Sequence, residues 1–125
     1  MAESQYPHGT FCWNELMTRD VPAAAKFYSE LIGWEAADSG MPGMAYTIFK
    51  EGDKSVAGLM EIPKDIPEQV PAHWMGYIAV NDIDDVIKKT PELGGTVLHG
   101  PQDVPGVGRF AVIQDPTGAV VSLIQ

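Results

Sequence analysis

The chain is short of cysteine, of basic residues and of long apolar runs, and each shortage excludes a class of protein. Cys12 is the only cysteine among 125 residues. That rules out an internal disulfide framework and fits a reducing compartment. With no activating partner visible in the sequence, Cys12 reads as a small apolar packing residue. Eight basic residues stand against seventeen acidic ones, a formal net charge of −9. Such a chain repels a phosphate backbone, so no nucleic-acid partner is expected. No apolar run approaches the roughly 18 residues of a membrane span. The start, MAESQYPHGT, lacks the basic-then-apolar layout of a secretory signal. A cytoplasmic protein without a membrane partner is therefore the expectation. Nucleophile elbow, phosphate-binding glycine loop and zinc-finger spacing are all missing. VPGVGR (104–109) has glycines but no strand-to-helix setting, and PGM (42–44) reads as a turn.

What is present is an internal repeat. Shifting the chain by 62 places Asp20 on Asp82, Lys26 on Lys88, Glu30 on Glu92, Leu31 on Leu93 and Gly33 on Gly95. The same ungapped shift places Asp53 on Asp115, since 115 − 53 = 62. Half-chain duplication implies two similar modules with a natural ligand site where they meet. With 45% hydrophobic residues and no long linker, the expected organisation is one domain over 1–125. Module one covers about 9–62, a connection about 61–72, and module two about 73–125.

Period-two alternation over Thr10–Thr18 predicts a strand with Phe11, Trp13, Glu15 and Met17 on one face. Asp20 should cap a helix that tolerates Pro22 in its first turn and stops at Gly33. Ala24, Phe27, Tyr28 and Leu31 fall at helical spacing and are expected to face a sheet. AYTIFK (45–50) and SVAGLM (55–60) read as strands joined by a tight EGDK turn. Prolines at 63, 67 and 71 make the following stretch an extended connection rather than a helix. The second half repeats the order: strand 74–80, a helix from about Asp84, then strands near Val97, over 109–113 and over 120–124. Pro91 should end that helix near Thr90. Asp115-Pro-Thr-Gly118 supplies the last hairpin turn.

The duplicated βαβββ order, the string DVPAAAKFYSELIGW, the ELGG after the second helix and the ending DPTGAVVSLIQ together resemble the vicinal oxygen chelate superfamily. That superfamily holds glyoxalases, extradiol dioxygenases and bleomycin-resistance proteins. GTFCWNELMTRD and HWMGYIAVND look most like a glyoxalase-like subgroup. The resemblance implies an α+β fold in which two modules form a curled, cup-shaped mixed sheet with helices outside. It also implies a small-molecule site in the cup and, often, a homodimer.

Metal-using members place a ligand on the first and last strand of each module. The first-strand position lies seven residues before the capping Asp, which is Trp13 in one half (20 − 7) and Met75 in the other (82 − 7). The last-strand position lies seven residues after the DPxG Asp, which is Ser122 (115 + 7), and its repeat partner is Met60 (122 − 62). Aligning GYIAV instead moves the third position to Tyr77. A divalent ion needs converging imidazole or carboxylate donors, which these residues do not supply. No metal and no other cofactor is expected.

Trp13, Met60, Met75 and Ser122 would instead make an apolar, aromatic floor, with Glu15, His73 and Tyr77 on the same faces. The plainer reading is that Trp13 and the methionines fill core space. Glu15, if it faces inward, is a candidate general base, a task His73 could share. The alternative is an open strand edge where water reaches Glu15. His73 could also be an ordinary rim histidine, and His8 (tail) and His99 (loop) are expected to face solvent. Three functions stay open. The first is a metal-independent glyoxalase-like protein binding a hydrophobic or aromatic small molecule. The second is an enzyme, either a metal-dependent lyase or dioxygenase or a metal-free isomerase using Glu15 or His73. The third is an interaction module with a filled cup.

Overall fold

The computed structural model describes residues 6–40 and 45–125, so the PGM turn expected at 42–44 lies outside the described residues. The chain divides into two compact units. One is continuous, Trp13–Met75; the other joins Gly76–Gln125 to the N-terminal segment ending at Cys12. The first half carries β1 (Phe11–Thr18), α1 (Val21–Ile32), β2 (Glu35–Asp38), β3 (Thr47–Glu51) and β4 (Lys54–Glu61). The second carries β5 (His73–Ala79), α2 (Ile83–Glu92), β6 (Thr96–Val104), β7 (Gly108–Gln114) and β8 (Val120–Ile124). The fold is α+β, and βαβββ occurs twice.

Strand order repeats as well: β2-β3-β4-β1 in the first half and β6-β7-β8-β5 in the second. In each, the first strand runs parallel to the last, and the remaining pairs are antiparallel. A parallel pair needs a long crossover, which here brings residues far apart in sequence side by side. Met17 thereby pairs with Met60 and Tyr77 with Ser122.

The two aspartates related by the repeat do the same work. Asp20 Oδ1 accepts from the Ala23 amide at 3.0 Å and Asp82 Oδ1 from the Asp85 amide at 3.1 Å, each capping a helix start. Gly33 ends α1 in the left-handed region at φ 81°. Pro91 does not end α2 near Thr90 as expected; it lies inside the helix, which runs on to Glu92. A proline in the last turn forfeits one amide. The Leu93 amide still reaches Lys89 O at 3.1 Å, and the Thr90 hydroxyl ties back to Val86 O at 2.9 Å.

The α1 face also differs from expectation. Val21, Ala24, Ala25 and Tyr28 pack on the cluster Leu16, Phe49, Ala57 and Leu59. Phe27 and Leu31 sit beside that arc and are exposed. In the second half, Val86 and Ile87 pack on Val80, Ile83, Ala111 and Leu123. His99, expected in a loop, is on strand β6, exposed, with Nε2 2.7 Å from Gln102 Oε1.

Residues 62–72 form turns and no helix. Arg19 holds them by donating to Val70 O at 2.6 Å and Pro67 O at 2.9 Å. The N-terminal segment bonds to its own unit: Gly9 N–H to Ala79 O at 2.7 Å, Ala79 N–H to Thr10 O at 2.8 Å and Asn81 N–H to His8 Nδ1 at 2.9 Å. No described helix is long and apolar enough to cross a membrane.

Candidate functional site

In the Trp13–Met75 unit, Leu16, Ala57 and Leu59 point at α1. Alternation along a strand then turns Trp13, Glu15 and Met17 to the helix-free face. Register sets Glu15 beside Gly58, Met17 beside Met60, and Ile48 on the far side of Gly58. Trp13 and Met60 thus share one face of one sheet.

Two residues that the sequence reading passed over complete this face. Trp13 Nε1 donates to Tyr46 Oη at 2.9 Å. Gly58, buried in mid-strand, lets that pair settle onto the backbone. A Cβ there would overlap Tyr46 Oη and Cζ and lie 3.1 Å from Trp13 Nε1. A lone glycine inside SVAGLM is the signal that could have found it, because glycine within a strand often marks close approach by another group.

Glu15 is 6% exposed, so water at an open strand edge does not describe it. A carboxylate in such a position needs a partner, and Glu15 has one. Trp74 lies on the opposite face of β5 from its neighbours, with Nε1 3.3 Å from Tyr28 Oη and its ring edge-on to Tyr28 and Trp34. His73 and Met75 therefore point away from α1. Met75 is buried, and His73, half-buried, has Nδ1 2.8 Å from Pro71 O. A carbonyl only accepts, so Nδ1 carries the proton and Nε2 is the basic nitrogen.

In the other unit, Ala111 and Leu123 point at α2, so Tyr77, Val112 and Ser122, side by side in register, occupy the helix-free face. Ser122 is fully buried, while Tyr77 and Val112 are half-buried. Cys12 Sγ lies 3.7 Å from Tyr77 O, and burial pushes its thiol pKa up, which disfavours a nucleophilic thiolate.

Two surface depressions of about 280 Å³ each lie elsewhere. One surrounds Arg109, whose guanidinium is tied to Asp103 at 3.0 Å and Asp84 at 3.1 Å; those contacts hold its pKa above the usual arginine value. The other surrounds Arg19, already committed to two carbonyls. Neither is lined by Trp13, Glu15, Met60, His73, Met75, Tyr77 or Ser122.

The metal implied by the resemblance does not fit the donors present. Trp13 offers no ligating atom, Met60 and Met75 offer thioethers suited to soft ions, and Ser122 offers a neutral hydroxyl. Among the described residues, no three His, Cys, Asp or Glu side chains converge into a metal-holding group.

Residues 10–123 match the family model described as Glyoxalase/Bleomycin resistance protein/Dioxygenase superfamily. CFP32 of Mycobacterium tuberculosis (strain CDC 1551 / Oshkosh), provisionally named a glyoxylase, is 40% identical over 124 residues; the match covers 98% of this chain and 48% of CFP32. The anthracycline biosynthesis protein DauV of Streptomyces sp. (strain C5) is 36% identical over 132 residues, covering 96% of this chain and 48% of DauV. The chain thus spans about half the length of the curated relatives it matches. Among solved structures, methylmalonyl-CoA epimerase from Mycobacterium tuberculosis superposes with a TM-score of 0.63 at 13% identity, over 93% of this chain and 86% of the epimerase. Homoprotocatechuate 2,3-dioxygenase from B. fuscum gives 0.60 at 17% identity, over 94% and 32%. At such identities these two likenesses speak for the fold alone.

Proposed function

Because this chain belongs to the Glyoxalase/Bleomycin resistance protein/Dioxygenase superfamily, we propose that it binds a flat, hydrophobic or aromatic small molecule without a metal. The observation that carries this reading is the Trp13–Tyr46 pair seated over Gly58 on a helix-free sheet face. An indole held by its own N–H presents a rigid apolar plane, and stacking on such a plane is worth about 0.5–1.5 kcal/mol beyond the buried area. Met17 and Met60 beside it add adaptable apolar surface. The donor set described above favours a metal-independent site. The relative named for anthracycline biosynthesis supports a planar polycyclic ligand. The homodimer that the superfamily resemblance implies would be tested by light scattering on the purified chain.

The test is a titration with 1-hydroxyanthraquinone, read by tryptophan quenching and thermal shift. Wild type should bind and be stabilised in proportion to the logarithm of ligand over dissociation constant. Trp13→Ala should weaken binding by about tenfold, and dialysis against EDTA should change nothing. A stoichiometric divalent ion whose removal abolishes binding would sink the reading.

A second reading, a metal-free isomerase, is favoured by one observation: Glu15 is a buried carboxylate on the same face as Trp13. Glu15 would then act as general base, with His73 Nε2 as the alternative proton acceptor. Under this reading Glu15→Gln removes turnover while ligand affinity survives.

A further inference from the structure

The repeat makes each helix a control for the other. On α2, Asp85, Lys89 and Leu93 are exposed and lie four residues apart on one ridge. Lys89 Nζ is 3.1 Å from Asp85 Oδ2, an exposed ion pair. The shift of 62 puts Ala23, Phe27 and Leu31 on the same ridge of α1 (85 − 62, 89 − 62 and 93 − 62). All three are exposed, Phe27 by 56% and Leu31 by 62%. The helix position therefore accepts charge and water, and α1 fills it with apolar side chains instead.

The ridge is part of a wider patch inside the Trp13–Met75 unit. The Phe27 and Trp74 rings both stand edge-on to Tyr28, at 5.1 and 5.6 Å, and Trp74 and Ile32 are exposed as well. Phe27, Leu31, Ile32 and Trp74 together present roughly 400 Å² of apolar surface, close to the apolar share of the ~800 Å² that each partner gives to a standard-size interface. Charge says what covers it. The chain carries −9 overall, so two copies repel over most of their surface. The charged residues of α1 are Lys26 and Glu30 alone; they cancel, lie 3.8 Å apart and are exposed. Helical geometry puts both on the same flank of the ridge. A second α1 crossing antiparallel about a two-fold axis sets Phe27 against Leu31 of the copy, Lys26 beside Glu30 of the copy, and the reverse. The patch is complementary to itself, which a partner of one net sign would not match.

We infer that the outer ridge of α1, centred on Phe27 and Leu31, is the surface through which two copies of this chain meet. This rests on the homodimer named above and assigns its face. Phe27 is the anchor, an aromatic side chain that gains most from being covered, and the Lys26 and Glu30 flank sets the antiparallel register. The matching ridge of α2, with its own ion pair, stays in water.

The test grafts the α2 ridge onto α1. Ala23→Asp with Phe27→Lys installs the ion pair that α2 already carries, and light scattering over a dilution series compares it with wild type. Wild type should be a dimer, and the graft should weaken association about thirtyfold or more, the loss of a buried aromatic anchor. Circular dichroism checks that the graft folds. If it does not, the exposed charges decide alone. Lys26→Glu should weaken the dimer about three- to tenfold, and adding Glu30→Lys should restore it, because the swapped flank is again complementary to itself. A mixture of Lys26→Glu and Glu30→Lys chains should pair with each other in preference to themselves, a result that only a second copy on this face produces. A wild-type dimer that neither the graft nor the charge changes weaken overturns the α1 face and leaves the homodimer standing. A wild-type monomer throughout the series overturns both, and the ridge then belongs to a different protein partner.

Discussion

Replacing Gly58 with alanine isolates the one close approach on which the Trp13 face depends. The new methyl would occupy the place of Tyr46 Oη and Cζ, 3.1 Å from Trp13 Nε1, so the tyrosine ring must swing off the strand. The 2.9 Å bond between Trp13 and Tyr46 is lost with it, at a net cost of about 0.5–1.5 kcal/mol. Unseating the half-buried ring removes apolar contact worth about another 1 kcal/mol. Against this, alanine is better than glycine in a strand by about 0.5–1 kcal/mol, through chain entropy. The balance is a loss of about 0.5–2 kcal/mol, or a fall of roughly 2–8 °C in Tm for a domain of this size. Tyr46→Ala removes the obstacle, and in that background Gly58→Ala should cost nothing or stabilise by about 0.5 kcal/mol. Urea unfolding followed by tryptophan emission would measure all four proteins. A coupling of about 0.5–2.5 kcal/mol between the two positions is expected. Equal Gly58→Ala costs in both backgrounds would refute the close-approach reasoning, because the penalty would then owe nothing to Tyr46.

Asp82→Ala should remove the α2 cap and cost about 1 kcal/mol, with Asp20→Ala doing the same for α1; matching Tm losses would check that the repeat extends to energetics. Asp115 receives hydrogen bonds from the Thr117 hydroxyl and amide and the Ala119 amide, which hold its carboxyl below the ordinary value. A depressed carboxylate contributes stability that is full above its unfolded pKa and is lost as pH falls through its folded pKa. Tm should therefore drop on acidification below about pH 4, and Asp115→Asn should flatten that part of the profile. Arg19→Ala should speed hydrogen exchange at the Ile66 and Val70 amides, whose turns the guanidinium holds through the carbonyls of Pro67 and Val70; unchanged exchange would mean the clamp is idle.

The twofold βαβββ order and the superfamily were legible because local signals set them. An Asp cap, a Gly stop and period-two strands recur at a fixed offset, and those cues need no knowledge of distant contacts. The face shared by Trp13 and Met60 was also legible, since strand alternation and the repeat suffice. Pro91 misled because a proline is disruptive in a helix interior but nearly harmless in a last turn where other bonds remain. Phe27 and Leu31 misled because helical spacing marks an apolar arc without saying how wide a sheet lies under it. Tyr46 and Gly58 stayed hidden for a different reason. Their meeting with Trp13 depends on the register of β3 on β4 and of β4 on β1, including a shift at Phe49/Lys50, and register is a long-range property.

The unit completed by Gly76–Gln125 begins with the residues up to Cys12, and this bears on the order in which a ribosome releases the chain. Thr10 bonds to Ala79, which follows it by 79 − 10 = 69 residues. At ordinary elongation rates the early segment waits about 3–14 s for that partner. Trp13–Met75 is contiguous and can close in the meantime. The segment ahead of it, with exposed Phe11 and Tyr6, must stay unpaired until the β5 sequence emerges. Residues 6–12 thus precede the Trp13–Met75 unit in the chain yet find their partner after that unit is complete.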